Sequence, residues 1–549
     1  MTNASAVISR VDFASFGNPR GDCLQGFVQG SCHVPNSTAL VEQACLGKRI
    51  CILYPEMFSP FLTSPGCQPP TLPSAWLSVS VSCEGLPPNY LHTYWNFTLL
   101  DEFLLDFWSA VDGNKTGAVP NWSTPPNWLY SSTWNYQDEY RSPFGGYESG
   151  SSPARSLTLL GDYYGRLLAW YTRGGFYDEN NLFRRSNHFL NISVYEIYNE
   201  VDYEHSHTPR SYVEDFDAIV LGIRKHADPT HRIRYVGLSL PNIDSTATIE
   251  EFARYFLDPR NHDPAVKFDS SQVFIGFHSY PTNGPYTPGS PTTLENLFVY
   301  GDEFLQRVRD VDALLAKESP HTQTYLDECG TALDNMIDTP LYWVASGSLF
   351  AYVFAGVSGM SGSSVVQVGQ SQLADGPGQE PSVSMLDWTT GLGNARYAVS
   401  ALLGECMAAG DVYVATNVSV AAQGHYFFPA LDDPLSSRLL SPSASPLFAQ
   451  AFLAAGAPGV ARVLLINKRS AVGNVTLELT GLPPMHSKGD FFHDGVGRTG
   501  DHRKDVPCVV KFVDVSTPLP YGQAACNYDE RGRLVVLLRE FSTAIISVG

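Results

Sequence analysis

The chain has 549 residues, of which 44% are hydrophobic and 12% aromatic, and it carries a net charge of −20. Its length predicts two or three domains, and its composition is that of a folded globular protein. The negative charge argues against nucleic acid and against an anionic membrane surface as partners, but it is compatible with a neutral glycan. No apolar run reaches the roughly 18–20 residues of a membrane span.

The N-terminal residues lack the basic and apolar pattern of a signal peptide, yet two features indicate a compartment outside the cytosol. Six of the ten cysteines lie between Cys23 and Cys83, and eight Asn-X-Ser/Thr sequons occur along the chain. Clustered cysteines in a short, loop-rich segment are typical of an oxidising compartment. We therefore expect a secreted or vacuolar/lysosomal protein, and we expect that the chain as given starts too late to include its signal.

The first predicted domain spans residues 1–84 and begins with a strand over Val7–Phe16. Its cysteines are spaced too widely for the CxxC pairs of a zinc site, so a disulfide framework is the better interpretation. Three stretches carry a resemblance: Phe13-Ala-Ser-Phe-Gly-Asn-Pro-Arg-Gly-Asp-Cys23, Gly30-Ser-Cys-His33 and Ala44-Cys-Leu-Gly-Lys48. They resemble the galactose/rhamnose-binding lectin domain of the sea-urchin-egg-lectin (SUEL) type, and within it the version found in plant β-galactosidases.

That resemblance implies a small disulfide-bonded α/β module with the bridges Cys32–Cys67 and Cys45–Cys51. Cys23 and Cys83 lack their usual family partners, so they either pair with each other or stay free. Residues 64–77 replace the family's sugar-contacting stretch. Binding of galactose or rhamnose and a purely structural role therefore both stay open.

Residues 90–405 alternate between short strand-like and longer helix-like stretches. The strands are predicted near residues 118, 192, 234, 273, 322 and 365, with helices over Thr158–Arg173, Ser211–His226, Leu294–Lys317 and Pro340–Phe354 among them. The β-branched and aromatic run 190–198 ends in Asn199-Glu200, and the run 322–327 ends in Glu328. Catalytic side chains of βα barrels lie at the C-terminal ends of strands. The alternative for Asn199-Glu200 is a helix cap.

The order and spacing of these two carboxylates resemble clan A of the glycoside hydrolases, the retaining (β/α)8-barrel enzymes. The resemblance implies that Glu200, after strand four, is the acid/base and that Glu328, after strand seven, is the nucleophile. It also implies that Asn199 donates to the sugar 2-hydroxyl. Val201 stands where proline often follows the Asn-Glu pair. Because only one predicted strand precedes the strand of Glu200, we expect a TIM-type barrel that lacks its first two strands in this chain.

Further side chains are candidates for substrate contact. Tyr280 ends its strand and is placed to hold Glu328, and His278, two residues earlier, points the same way. By the same alternation Asp327 is expected to point away from Glu328. Three tryptophans are candidate platforms for sugar rings, namely Trp122, Trp128 and Trp388.

No cofactor is predicted. His205 and His207 lack an evident third ligand, so a solvated loop is preferred over a metal site. From about residue 410 short strands are separated by Gly, Pro and Ser, which predicts a β-sandwich over residues 410–549. We predict a retaining O-glycoside hydrolase that cleaves β-glycosidic bonds of a glycan or glycoconjugate. The alternative is a non-catalytic carbohydrate-binding protein on an incomplete barrel.

Overall fold

The structure is a computed structural model. It describes residues 7–22, 26–48, 51–54, 57–58, 75–84, 95–123, 125, 153–205, 207–241, 246–280, 291–331, 340–370, 384–386, 391–414, 416–418, 445–457, 459–478, 508–517, 521–531 and 533–548.

The secondary-structure elements are numbered in chain order. The N-terminal part contains β1 (Val7–Gly17), β2 (Arg20–Asp22), β3 (Gly26–Val28), α1 (Ser37–Cys45), β4 (Trp76–Glu84), α2 (Thr98–Ala110), α3 (Gly113–Thr116), α4 (Pro153–Thr172), β5 (Gly175–Tyr177) and β6 (Phe183–Arg185). The middle part contains β7 (Val194–Glu196), α5 (Pro209–His226), β8 (Arg234–Leu240), α6 (Thr246–Leu257), β9 (Val273–Ser279), α7 (Pro291–Glu318), β10 (Gln323–Cys329), α8 (Pro340–Ser358), β11 (Val365–Gln370) and α9 (Ala395–Cys406). The C-terminal part contains β12 (Val412–Val414), β13 (Leu447–Leu453), β14 (Ala461–Asn467), β15 (Gly473–Leu477), β16 (Cys508–Val513), β17 (Gly522–Ala525), β18 (Asn527–Tyr528), β19 (Leu534–Leu538) and β20 (Thr543–Val548).

The chain divides into two compact units. The first comprises Met1–Asp106 with Gly174–Asn187, and the second comprises Phe107–Arg173 with His188–Gly549. In the first unit β1 pairs antiparallel with β4, and α1 packs on β1. Val11, Phe16 and Val41 belong to the core that these three elements bury between them. The apolar faces of the strands and of the helix are shielded from water only when they pack against each other.

Cys45 and Cys51, one of the two pairs that the lectin resemblance implies, form a disulfide with their Cα atoms 5.0 Å apart. Cys32 is also disulfide-bonded, but Cys67 and Cys23 lie outside the described residues. Cys83 is a free thiol, so the alternative in which it pairs with Cys23 is wrong.

The second unit contains a parallel five-stranded sheet in the order β11-β10-β9-β8-β7. Each strand pairs with the next along the chain, and a helix follows each of the strands β7, β8, β9 and β10. Sequential order with helical crossovers is the arrangement of a βα barrel, here present as a run of five strands. The strand predicted near residue 118 contributes, within the described residues, one isolated parallel bridge between Asn121 and Glu196.

Helix α8 is apolar on all sides because it is enclosed by the protein. It is the one described helix that is long and apolar enough to cross a membrane, but 72% of its most apolar 18-residue stretch is buried inside the protein. Its Ser348 Oγ lies 2.6 Å from Thr543 Oγ1 on β20. A helix with such burial and polar side-chain contacts on a neighbouring sheet belongs to the core.

The C-terminal strands form two antiparallel sheets. One has the order β12-β13-β14-β20-β16-β17, and the other has the order β15-β19-β18. Their inward side chains share a core to which Leu465, Val536 and Ile546 belong. A disulfide that the sequence analysis did not assign, Cys508–Cys526, joins β16 to the residue after β17, with Cα atoms 5.6 Å apart.

Helices α4 and α5 approach so closely that only glycine fits where they cross. A Cβ added to Gly222 would lie 1.8 Å from the carbonyl oxygen of Gly161, and one added to Gly161 would lie 2.2 Å from that of Ala218. Thr208 caps α5, since its side chain accepts from the Ser211 N–H at 3.2 Å, and Pro209 occupies the first turn. The cap and the proline fix where this helix begins.

We expect Gly222→Ala to lower the free energy of unfolding by about 1–3 kcal/mol or more, because backbone atoms on both helices must move apart. Gly404→Ala is the matched control on α9, where nothing lies within 4 Å of the added Cβ. It should be neutral or stabilising by up to about 1 kcal/mol, since alanine favours a helix over glycine. Urea unfolding of both variants measures this, and equal costs would contradict the close crossing.

Peptide mapping under non-reducing conditions should recover Cys45–Cys51 and Cys508–Cys526 as linked peptides. It should also recover Cys32 linked to Cys67, the pairing that the lectin resemblance implies and that the described residues leave untested. A peptide linking Cys32 to Cys23 would refute that pairing.

Candidate active site

Glu200 is held by a strained turn at the C-terminal end of β7. Tyr198 and Glu200 have φ values of 65° and 44°, in the left-handed region that non-glycine residues rarely adopt. Such residues cost about 1–3 kcal/mol each and persist where surrounding contacts fix them. Here the Glu200 N–H donates to the Ser239 carbonyl at 2.9 Å, and the Asn199 N–H donates to Ser123 Oγ at 3.0 Å. The turn thus ties Glu200 to the neighbouring strand β8.

Glu328 lies near the end of β10, beside an irregularity in the strand. The pairing of β10 with β9 shifts register between Leu326 and Glu328. A bulge breaks the simple alternation of side chains. Asp327 Oδ1 lies 3.6 Å from His278 Nε2 and Glu328 Oε2 lies 3.5 Å from His278 Nδ1, so both carboxylates face the same imidazole. Asp327 therefore does not point away from Glu328, contrary to the expectation from strand alternation.

Glu200, His278 and Glu328 form the centre of the candidate site. One ligating atom from each of the three lies within 4.8 Å of the others. His278 Nδ1 is 2.9 Å from Glu200 Oε1, and the Tyr280 hydroxyl donates to Glu328 Oε2 at 2.6 Å. The His278 side chain is fully buried, whereas those of Glu200 and Glu328 are 15% and 27% exposed. The carboxylates are thus accessible from solvent while the imidazole lies beneath them.

The surroundings of His278 favour its protonated form. Burial disfavours its charge, but the Asp327 carboxylate, the hydrogen bond to Glu200 and the charges of Glu328 and Glu200 outweigh burial and raise its pKa to about 10. An imidazolium carries protons on both nitrogens and has no free lone pair for a metal ion. Hydrogen bonding and charge pairing are therefore enough to account for the closeness of the three side chains. By distance they are also the only such cluster of possible metal ligands among the residues that the structure describes.

Two further acids on the loop after β7 belong to this cluster. Burial raises the pKa of Glu204 to about 7, a hydrogen bond from the Asn199 side chain opposes the shift, and the charges of Glu200 and Glu328 add to it. Burial also raises the pKa of Asp202. Nothing in the sequence pattern distinguished these acids from loop carboxylates, because the fold of the loop decides their burial.

The predicted tryptophan platforms are only partly placed. The half-buried Trp122 ring lies 5.6 Å, centroid to centroid, from Tyr171 on α4 and from Tyr195 on β7. One face of that ring is therefore used in packing, and its contact with sugar stays a prediction. Trp128 and Trp388 lie outside the described residues.

His205 and His207 do not lie on a solvated loop, contrary to the expectation from sequence. Both are buried, and their rings stack on Tyr198 with centroids 4.6 Å and 5.6 Å away. His205 Nε2 lies 2.9 Å from Ser123 Oγ. The two rings buttress the strained turn that carries Asn199 and Glu200.

These two histidines predict a loss of stability in acid. Burial lowers the pKa of His205 to about 4, and burial together with the His205 charge lowers that of His207 to about 3. In the unfolded chain both histidines protonate near pH 6.5. The stability that their buried neutral rings contribute is therefore fully present above that pH, and it declines as the pH falls towards the pKa values of the folded protein. Each contributes up to about 1.4 kcal/mol per pH unit to the slope.

The His207→Gln variant should therefore show a shallower decline of unfolding free energy between pH 6.5 and 4.5 than the unaltered chain. Urea unfolding at a series of pH values measures the slopes. His321→Gln, which removes an exposed imidazole, is the control variant. Parallel slopes for the His207 variant and the unaltered chain would contradict burial of a neutral ring.

Comparison with known proteins confirms the N-terminal resemblance. Residues 2–83 match the model of the D-galactoside/L-rhamnose binding SUEL lectin domain. Curated relatives include Beta-galactosidase 12 of Oryza sativa subsp. japonica, 54% identical over 46 residues that make up 8% of this chain and 5% of the relative. Beta-galactosidase 11 of the same species is 35% identical over 83 residues, which are 15% of this chain and 9% of the relative. The matches thus span less than a tenth of these relatives' length.

Solved structures similar to this chain include glycoside hydrolases of families 51, 30 and 44. The family 51 arabinofuranosidase from Xanthomonas axonopodis pv. citri is 12% identical with a TM-score of 0.45, and the alignment covers 71% of this chain and 74% of that one. The family 30 endoxylanase from Clostridium papyrosolvens C71 is 13% identical with a TM-score of 0.42, over 83% and 84%. TM-scores below 0.5 establish no function, so the geometry of the carboxylates has to carry the functional assignment.

Proposed function

We propose that the chain is a retaining O-glycoside hydrolase acting on β-glycosidic bonds of a glycan or glycoconjugate. One observation carries this proposal: side-chain oxygens of Glu200 and Glu328 lie within 4.8 Å of each other at the C-terminal ends of strands in one parallel sheet. Retaining glycosidases hold their carboxyl groups about 5–5.5 Å apart, whereas inverting enzymes need about 6.5–9.5 Å to admit water between them.

The proposed reaction is a double displacement. The Glu328 carboxylate bonds to the anomeric carbon as the bond to the leaving oxygen breaks, and the Glu200 carboxyl gives that oxygen its proton. Glu200, now ionised, then takes a proton from water, whose oxygen bonds to the anomeric carbon and releases Glu328. Tyr280 supports this assignment because its hydrogen bond to Glu328 Oε2 orients the nucleophile. Asn199 is assigned to the sugar 2-hydroxyl.

The finer features of the proposal concern domains, substrate and location. We assign residues 1–84 to the lectin-like domain, 90–405 to a barrel lacking its first two strands, and 410–549 to a β-sandwich. The shared core of the two C-terminal sheets supports the last assignment. Because the relatives that match the N-terminal domain are plant β-galactosidases, an aryl β-galactoside is the first substrate to test. Galactose or rhamnose binding by the lectin-like domain, and a secreted or vacuolar/lysosomal site of action, complete the proposal.

The activity test is hydrolysis of a panel of aryl β-glycosides by the full chain. Glu328→Ala should abolish turnover of every substrate, because no group remains to form the glycosyl-enzyme. In Glu200→Ala an activated aryl leaving group departs without protonation, so the first step survives while hydrolysis of the intermediate slows about 10²–10⁴-fold. Azide needs no general base and should restore turnover, giving a β-glycosyl azide with retained configuration.

Glu250→Gln, on the partly exposed face of α6, is the matched control and should behave like the unaltered chain. An inverted azide product from Glu200→Ala would reverse the two roles. Binding of glycans without hydrolysis of any substrate would favour the non-catalytic carbohydrate-binding alternative.

A further inference from the structure

Beneath the candidate site a single serine hydroxyl bridges two buried carboxyl groups. Ser239 Oγ lies 2.8 Å from Asp327 Oδ2 and 3.0 Å from Glu196 Oε1. Glu196 Oε1 also accepts from Asn121 Nδ2 at 2.7 Å. Ser239 is fully buried and Glu196 is 8% exposed, so water does not screen this contact. Neither carboxyl group belongs to the double displacement described above.

The hydrogen-bond inventory of this cluster requires an extra proton. A serine hydroxyl donates one hydrogen bond, and an ionised carboxylate only accepts. Ser239 can therefore donate to one of its two neighbours, and the other must itself carry a proton and donate to Ser239 Oγ. The pKa directions agree with this count. Burial and the Asp327 charge raise the pKa of Glu196, and burial also raises that of Asp327.

His278 decides which carboxyl group is ionised. Its Nε2 and Asp327 Oδ1 face each other at 3.6 Å, and neither atom has a hydrogen-bond partner among the described residues. The imidazolium therefore stabilises a charge on Asp327, while Glu196, farther along the chain of contacts, keeps the proton. The other nitrogen of the ring contacts Glu200 at 2.9 Å, which extends the chain to the candidate acid/base.

The backbone is shaped to make this contact. Leu238 and Ser239 have φ values of 76° and 38°, and they are two successive strained residues near the C-terminal end of β8. The pairing of β8 with β9 shifts register at the same place, between Gly237 and Leu240. On β9, a Cβ added to Gly276 would lie 2.2 Å from Asp327 Oδ2 and 2.6 Å from Ser239 Oγ. Strain on one strand and a missing side chain on the next leave the space in which the bridge forms.

We propose that Glu196 and Asp327 share one proton through Ser239, with Glu196 neutral and Asp327 ionised, and that these three act as positioning residues. Glu196 and Ser239 hold Asp327 in its ionised form, and the Asp327 anion keeps His278 charged. His278 then directs its second N–H at Glu200. The role towards Glu200 rests on the proposed glycosidase function, whereas the shared proton does not.

His278 is surrounded by carboxyl groups from two other strands and the loop after one of them. They are Glu196, Glu200, Asp202 and Glu204 from β7 and its loop, and Asp327 and Glu328 from β10. A charge on His278 lowers the pKa of each of four carboxyl groups, namely Glu196, Asp202, Glu204 and Asp327. A change in the charge of this one ring should therefore be felt at Glu200.

The test reads the charge of His278 directly, without any substrate. The full chain is labelled with ¹³C at the histidine Cε1 positions, and the His278 signal is the one lost in His278→Gln. In the unaltered chain it should keep the imidazolium position from pH 6 to 8.5. Asp327→Asn removes the anion and should bring the midpoint of titration below pH 8.5, a loss of more than tenfold in proton affinity.

Glu196→Gln is the matched comparison, because an amide replaces a carboxyl group that is already neutral. The Asn121 side chain can turn so that its buried and otherwise unpartnered Oδ1 accepts from the new amide. His278 should then stay charged to pH 8.5. A neutral His278 at pH 7 in the unaltered chain, or discharge in Glu196→Gln matching that in Asp327→Asn, would overturn the assignment.

If Asp327→Asn does not fold, as judged by circular dichroism, Ser239→Ala replaces it. That variant removes the hydroxyl that stabilises the Asp327 anion, so His278 should titrate at lower pH than in the unaltered chain. If the His278 signal in Ser239→Ala keeps the imidazolium position to pH 8.5 and titrates at the same pH as in the unaltered chain, the bridge is refuted.

The pH dependence of hydrolysis distinguishes failure of this inference from failure of the proposed function. With an aryl β-glycoside that the full chain hydrolyses, Asp327→Asn should move the alkaline limb of the kcat/KM profile to higher pH by half a unit or more. Loss of the imidazolium donor disfavours the ionised form of Glu200. An unmoved limb refutes the positioning role. If no substrate is hydrolysed, that role falls with the proposed function, while the His278 spectra still decide the shared proton.

Discussion

The buried imidazolium of His278 is the interaction on which the rest of the candidate site depends. A carboxylate in a protein interior is strongly disfavoured unless it is paired and hydrogen-bonded. Six carboxyl groups lie in the electrostatic environment of this ring, and several of them are buried. One imidazolium cannot offset all of these charges, which supports the proposal that Glu196 keeps its proton.

Strained backbone at the ends of β7 and β8 positions the side chains of this carboxyl cluster. Tyr198 and Glu200 leave β7 with positive φ, and Leu238 and Ser239 do so within β8. The two strained segments are joined by the hydrogen bond from the Glu200 N–H to the Ser239 carbonyl. Strain of this kind persists only where packing over-determines the backbone. The buried rings of His205 and His207 against Tyr198 supply that packing on the β7 side.

The sequence predicted those features that depend on local pattern. Short β-branched runs predicted β7 to β11, and the rule that function lies at the C-terminal ends of parallel strands singled out Glu200 and Glu328. Two-residue alternation placed His278 and Tyr280 on the same side. The same rule failed at Asp327, because a register shift changes which way a side chain points and leaves no mark in residue types. The bridge from Glu196 through Ser239 joins three different strands, so no local pattern could reveal it.

The sequence similarity and the candidate chemistry lie in different parts of this chain. The lectin-domain match ends at residue 83, whereas Glu200, His278 and Glu328 all belong to the second unit. A lectin domain can bring a glycan to a protein, but it supplies no pair of acids for bond cleavage. The case for catalysis therefore has to come from the geometry of the second unit. There, two partly exposed carboxylates approach within one hydrogen-bonded cluster, a tyrosine orients one of them, and a buried cation contacts the other. A merely structural ion pair needs neither the strained backbone nor the accessible acids, and their coincidence at one sheet end is what favours an enzyme over a binding module.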